Sequence, residues 1–354
     1  MSGNQSEVVI VGAGIVGLTT AYRLLQRDKN IKIIVLDKSN SVKGATSYAG
    51  AMDIPYFRTE YHKSLVEFSW DWYRNNVSEN KFRWNLPILW LLPNKVDKDD
   101  LDRYLLSPTR TLGKDRYKDE KWTYPERYSC YEGECYVIDS LAWTSELRRR
   151  LVSSGRVKLM PGTEFKQTVQ AGNEIRVETY SKNSIITKHI IFCSGPWVNK
   201  LSTAMCDFTN SHTIKTKQVS ALQVNLRTNN LRLKALASLD EDIYFFPRTQ
   251  RDSYILSVRH DKWNVDPDEE QVLSKKVYAM ANNFLNPLVG KNNWSIKKNR
   301  VFMDTYNDQC SPVVMSLPNT NGALTVVTGT HGSGVRLAPG LADEATTLCL
   351  ESIN

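Results

Sequence analysis

Short apolar runs open and close the chain, while its middle alternates apolar and polar positions. Val8-Val9-Ile10-Val11 has no polar residue and predicts a strand buried on both faces. Gly12-Ala13-Gly14-Ile15-Val16-Gly17 follows at once, and LTTAYRLLQRD then carries the spacing of a helix. A second apolar run, residues 31–36, ends at Asp37 and completes a strand–helix–strand unit of the length a parallel crossover needs. Further helices are predicted over residues 64–73, 143–151 and 270–284. Residues 190–193 predict another buried strand, ending in Ser194-Gly195-Pro196-Trp197. Residues 158–187 suit an antiparallel ribbon, and 214–226 and 242–259 suit strands of a mixed sheet. Two more strands, 300–305 and 323–328, precede a Gly-rich turn and a terminal helix. Residues 75–135, rich in Asn, Lys, Asp, Pro and Tyr, predict short helices and loops outside the nucleotide core.

Nucleotide-type segments thus bracket the alternating ones. The expected fold is α/β: a Rossmann-like domain (residues 1–82, 138–206 and 305–354) interleaved with an α+β substrate domain on a mixed or antiparallel sheet (83–137 and 207–304). A length of 354 residues allows one large or two interleaved domains. The net charge of +8 is dispersed, which suits anionic ligands and gives no nucleic-acid footprint. The six cysteines lack CxxC spacing, so neither a metal site nor a disulfide scaffold is expected, and Cys130 and Cys135 read as free thiols. No signal-peptide pattern and no apolar run of about 18 residues is present. A cytoplasmic protein without a membrane span is the expectation.

The glycines carry specific chemistry. Gly12 permits a tight turn, Gly14 lets backbone approach a pyrophosphate, and Gly17 lets the helix pack on the strand. The helix start offers free N–H groups and a positive dipole end to phosphate. Asp37, 20 residues after Gly17, can accept hydrogen bonds from ribose hydroxyls. These residues establish a dinucleotide and leave FAD and NAD both open.

Four blocks in order decide between them: VVIVGAGIVGLTTAYRLLQ with VLDKS, GATSYAGAM, FCSGPWVNKL and GTHGSGVRLAPGLADEA. Together they resemble the FAD-dependent amine oxidoreductases of the D-amino-acid oxidase, glycine oxidase and sarcosine oxidase family. The resemblance spans nearly the whole chain and implies that the Rossmann-like domain binds FAD. It places Ile15, Val16, Lys38, Ala45, Thr46, Ser47, Gly50, Met52, Gly195, Trp197, Gly332, Gly334, Val335 and Arg336 with the fingerprint at the cofactor. The small residues Ala45, Thr46, Ser47, Ala49 and Gly50 allow backbone to lie against a flat ring. The helix after Gly334 aims its dipole at negative charge on a reduced flavin.

The resemblance also implies a substrate site. Arg336 looks like the ligand of a substrate carboxylate, for which an arginine fork is suited. Arg58 resembles the second basic residue of that clamp. Tyr244, Phe245 and Phe246 are candidate pocket wall, with alternate residues facing opposite sides. Of five scattered histidines (His62, His189, His212, His260 and His331), His260 and His331 fall in segments expected near the flavin.

Two departures from the family pattern stand out. Arg300-Val301-Phe302-Met303 lacks the cysteine that attaches FAD covalently in some members, so non-covalent FAD is expected. SYILSVRHD lacks the lysine that promotes reaction with dioxygen, leaving Arg259 or His260 as nearby charge.

The implied reaction oxidises the C–N bond of an amino acid or secondary amine. Hydride passes to flavin, water hydrolyses the imine, and dioxygen takes the electrons. The substrate is a small carboxylate-bearing amine, free or tethered to a carrier protein. Alternatives are a dehydrogenase of an amine or hydroxy acid with another acceptor, a subunit with structural FAD, and an NAD-dependent enzyme.

Overall fold

The computed structural model describes residues 4–40, 44–93, 97–111, 128–172, 174–201, 208, 213–227, 234–248, 253–258, 260–317, 320 and 322–353. Cys206, His212 and Arg259 lie outside the described residues.

The apolar runs assemble a six-stranded sheet in the order Val313–Ser316, Leu324–Thr328, His189–Phe192, Val8–Val11, Ile33–Asp37 and Val157–Pro161. All its pairs are parallel except the first, which is antiparallel. From Val8–Val11 the chain builds outward through Ile33–Asp37 to Val157–Pro161, then returns to the other side as His189–Phe192. That reversal opens a crevice at the carboxyl ends of Val8–Val11 and His189–Phe192, where an open α/β sheet binds its ligand.

Both faces of this sheet are covered, which explains why its strands carry no polar alternation. Val8 and Ile10 join the core under helices Ile15–Arg27, Glu60–Asn76, Ser140–Ser153 and Gly334–Ile353. Val9 and Val11 point the other way, against Phe165, Ile175, Val177 and Ile185. Those residues belong to a smaller four-stranded sheet of Asn4–Gln5, Ser184–Thr187, Glu174–Thr179 and Phe165–Ala171. The ribbon expected over residues 158–187 is therefore real from Phe165 onward, while Val157–Pro161 joins the parallel sheet.

The second large sheet has ten strands. Its path runs Trp294–Lys298, Ile214–Leu226, Ser253–Val258, Ile243–Pro247, Ala235–Ser238, Arg83–Pro93, Tyr128–Ile138 and Met52–Asp53, with Val301–Asn307 and Arg110–Thr111 at its sides. Met52–Asp53 enters it from residues assigned to the nucleotide domain, and Val301–Asn307 crosses the expected boundary at 304/305. One face packs on helix Lys275–Val289 through Leu89, Leu222, Phe245 and Leu256. The other holds Trp90, Phe246, Ile255 and Phe302.

Two expectations fail. Residues 75–135 hold the eleven-residue strand Arg83–Pro93 and most of a second, Tyr128–Ile138, and the two pair antiparallel along their full length. Pro87 obscures the first in sequence, yet it lies just outside Ile88–Leu91, the stretch paired on both sides, so its missing N–H disrupts no second ladder. The helix expected over 270–284 starts later, at Lys275, because the Ser274 side chain accepts the Val277 N–H and caps it there.

Helix Gly334–Ile353 crosses Glu60–Asn76 where a side chain has no room. A Cβ on Gly340 would meet the Leu65 carbonyl oxygen at 3.0 Å, and the Gly340 N–H donates to Ser69 Oγ at 3.0 Å. Gly340→Val is expected to lower the stability of the holoprotein by about 1–3 kcal/mol through overpacking. Thermal unfolding checks this, and an unchanged midpoint would contradict the tight crossing.

Candidate active site

The turn after Val8–Val11 is shaped by the absence of side chains. Gly12 has φ +110°, and a Cβ there would meet the Cys193 carbonyl oxygen at 2.4 Å. A Cβ on Gly17 would meet the Gly12 carbonyl oxygen at 2.0 Å. Helix Ile15–Arg27 is thereby pressed onto the strand, its N-terminus facing the crevice. Asp37 braces the turn: its Oδ2 accepts the Ala13 N–H and its Oδ1 the Ser39 N–H, both at 2.8 Å. Each oxygen keeps a lone pair for a further donor. Thr46 Oγ1 accepts the Ile15 N–H at 3.0 Å, tying the small-residue segment to the helix start. Buried Arg300 holds that segment from the other side, donating to the carbonyls of Ser47 (2.8 Å) and Ala49 (3.2 Å).

A cavity of about 910 Å³ runs from this turn to the ten-stranded sheet. All the described candidate residues line it except Phe245, Gly17 and Ser47, the last two serving in packing and through the carbonyl just described. Alternation places Tyr244 and Phe246 on the cavity, while Phe245 stacks on Tyr254 in the opposite core. Gly50 gives room to Phe246: a Cβ would come within 2.7 Å of its ring.

The far end is built around a buried carboxylate absent from the sequence-based candidates. Asp304, in Val301–Asn307, accepts the Gly332 N–H on Oδ2 (2.7 Å) and both Thr330 Oγ1 (2.9 Å) and the Thr305 N–H (2.8 Å) on Oδ1. It fixes the Gly-rich turn ahead of helix Gly334–Ile353. His331, at φ +50°, is locked by Asn307, whose N–H donates to its ring Nε2 at 3.1 Å.

Arg336 departs from the expected fork. Its Nη1 donates to the carbonyls of Ile54 (3.1 Å) and Tyr56 (2.6 Å), and its Nη2 to Ser333 Oγ (3.0 Å) with His62 Nε2 at 3.4 Å. The terminal N–H groups are thus engaged within the protein, and the side chain shapes the 54–56 segment from behind. Arg58 stands differently: it is exposed at the cavity wall, and its guanidinium pairs with the Tyr56 side chain.

His260 also differs from expectation. It is buried against Ser220 Oγ, and burial, then the nearby Lys217 ammonium, lowers its pKa to about 4. His331 falls to about 4 and His62 to about 3, chiefly through burial and then through Arg58 and Arg336 respectively. All three imidazoles are neutral at pH 7, so none supplies charge. Lys217 does: it lines the cavity from Ile214–Leu226, with its ammonium 5.0 Å from the Trp263 ring and 5.2 Å from the Tyr306 ring. The linear match around residues 253–261 could not reveal it, because it comes from another strand.

Residues 7–348 match the model of the family described as FAD dependent oxidoreductase. The chain belongs to this family. It is an FAD-dependent oxidoreductase. Among curated proteins none matches it by sequence. Its fold is similar to L-proline dehydrogenase from P. horikoshii (TM-score 0.84, 17% identity, 99% of this chain and 94% of that one). It is also similar to glycine oxidase from Geobacillus kaustophilus (0.81, 15%, 99% and 95%). L-alpha-glycerophosphate oxidase from Mycoplasma pneumoniae, solved with FAD bound, scores 0.82 at 16% identity, covering 98% and 95%. At such identities the likeness carries the fold alone.

The residues fit FAD. Gly12 and Gly14 leave backbone bare beside the helix start, Asp37 retains acceptor capacity, and the cavity is of ligand size. Among the described residues no group of three or more His, Cys, Asp or Glu could hold a metal. Nor is any described helix long and apolar enough to cross a membrane. Cys135, Cys193, Cys310 and Cys349 are free thiols.

Behind Arg336 lies Asp53, fully buried, with Oδ2 lacking a hydrogen-bond partner among the described residues. Burial, partly offset by the charges of Arg336 and Arg83, raises its pKa to about 7. A carboxyl with a raised folded pKa favours the fold while protonated. That contribution is complete below about pH 4 and disappears as pH rises through about 7. Asp53→Asn is therefore expected to gain stability relative to wild type between these values, measured by urea unfolding of the holoprotein. Parallel pH profiles would contradict the assignment.

Proposed function

We propose that this oxidoreductase oxidises the C–N bond of a small carboxylate-bearing amine, an amino acid or secondary amine, with FAD held non-covalently. The observation that carries this proposal is Arg58, a cation exposed on the cavity wall beside Tyr56, at the end remote from Asp37. A guanidinium so placed suits a carboxylate entering from solvent. FAD, when bound, supplies the two-electron acceptor.

The chain's own residues bind and orient. Arg58 holds the carboxylate, Tyr244 and Phe246 wall the amine, and Arg336 fixes the Ile54–Tyr56 carbonyls beneath it. Burial keeps the Tyr244 hydroxyl protonated well above its ordinary range, so it acts as a neutral hydrogen-bonding group. With neutral histidines around it, the site favours positioning over base catalysis. The names of the similar structures, glycine oxidase and L-proline dehydrogenase, agree with an amino-acid substrate. A free small molecule accounts for the site without a carrier protein.

For the acceptor, the Lys217 ammonium in the cavity favours dioxygen. A second reading, an acceptor other than dioxygen, is favoured by the lack of a lysine at the matching stretch of Ser253–Val258. Anaerobic mixing with glycine, N-methyl and cyclic amino acids is expected to bleach the flavin for at least one of them. Absence of bleaching across the panel would contradict the amine assignment. Fast recolouring in air supports the oxidase, and slow recolouring supports the other acceptor.

The two arginines separate by experiment. Arg58→Met is expected to weaken carboxylate binding by about 10- to 100-fold, in line with charge-assisted hydrogen bonds of about 1.5–3 kcal/mol, with FAD content unchanged. Unchanged affinity would remove Arg58 from the site. Arg336→Met is expected to lower the melting temperature of the holoprotein, since it leaves buried carbonyls unpaired. A variant of wild-type stability that has lost only substrate affinity would return Arg336 to the role of carboxylate ligand.

A further inference from the structure

Residues 261–274 leave Ser253–Val258 and form no helix or regular strand before Lys275–Val289. They are strapped across Ile214–Leu226. The Gln218 N–H donates to the Lys262 carbonyl (2.9 Å), the Asn264 N–H to that of Thr216 (2.7 Å), and Thr216 Oγ1 to that of Val265 (2.7 Å). Further on, Gln218 Nε2 donates to the Val272 carbonyl at 3.1 Å. Between these anchors the turn at 266–269 projects to the nucleotide half, steadied by the Asp268 N–H on Asp266 Oδ1 at 2.8 Å.

Three donors from that half converge on Asp268. Lys38 Nζ (2.5 Å) and Trp197 Nε1 (2.8 Å) donate to Oδ1, and Lys200 Nζ donates to Oδ2 at 2.6 Å. Lys200 also reaches Asp266 Oδ1 at 2.5 Å, and the Lys38 ammonium lies 4.3 Å from the Trp197 ring centroid. Lys38, Trp197, Lys200 and Asp268 all line the cofactor cavity, and Lys38 adjoins Asp37. The family resemblance implied Lys38 and Trp197 as cofactor residues. The structure shows that both are gripped by an acid from the opposite half.

We propose that Asp268 latches the 261–274 strap over the nucleotide end of the cavity, so that FAD enters and leaves only when the strap lifts. An isolated exposed ion pair holds little, but a carboxylate with three donors and a neighbouring acid sharing one of them forms a network. The donors sit on segments after two different strands, Ile33–Asp37 and His189–Phe192, so the latch closes the crevice from both sides. The network is solvent-accessible, so salt weakens it.

The test times FAD release from purified holoprotein by the rise in flavin fluorescence, in wild type, Asp268→Asn and Lys200→Gln. Release is expected to be about tenfold faster in Asp268→Asn and clearly faster in Lys200→Gln, as befits loss of part of an ion-pair network. Wild-type release should accelerate as NaCl rises from about 0.05 to about 1 M, and Asp268→Asn should lose most of that dependence. Equal rates and salt slopes in all three proteins would overturn the proposal. Wild-type release that ignores salt would do so however the variants fold. The proposal rests on non-covalent FAD: flavin that stays attached after denaturation would overturn both, whereas flavin released only on denaturation, at a rate insensitive to Asp268, overturns the latch alone.

Discussion

Two missing Cβ atoms govern the geometry of the cofactor half. Gly17 lies against the Gly12 carbonyl and Gly12 against the Cys193 carbonyl, so helix and strands meet at distances no other residue permits. From that contact the helix N-terminus faces the crevice, Ala13 comes within reach of Asp37, and Ile15 within reach of Thr46. The 45–50 segment is then fixed between the helix start and Arg300. A shift at the turn would move every wall of the nucleotide end together.

The opposite end depends on buried charge. Asp304 gathers the Gly-rich turn, and Arg336 gathers the Ile54 and Tyr56 carbonyls and Ser333. Burying such groups is tolerable because nearly every donor and acceptor finds a partner. Among the described residues, Asp53 Oδ2 and His62 Nδ1 are left without a hydrogen-bond partner, and burial raises the Asp53 pKa. With His62, His260 and His331 neutral, cationic character at this end rests on the arginines and Lys217.

Much of this was legible in the sequence where the signal is local. Four apolar residues before Gly12 marked the central strand, and Ile214–Leu226 was bounded to the residue by its alternation. The strands at 83–93 and 128–138 were hidden because Pro87 and the polar residues between them masked a pairing that only the folded sheet displays. Candidate cofactor residues far apart in sequence line one cavity because small side chains beside a turn leave backbone open to it. Asp304 and Asp268 were not, since Thr330 lies 26 residues from the first and Lys38 230 from the second. An acid within the apolar strand VFMDTYN was the one available hint that Asp304 has a buried partner. Arg336 lines the cavity, but its hydrogen bonds lie within the protein, a matter of geometry that pattern cannot carry.

One cavity joins the turn at Gly12 to the wall at Arg58, the proposed carboxylate site. Titrating yellow holoprotein with a carboxylate that has no oxidisable C–N bond, such as benzoate, tests it most directly. A saturable perturbation of the flavin absorbance bands that weakens as salt rises is expected. A flavin spectrum indifferent to carboxylate at every concentration would contradict it.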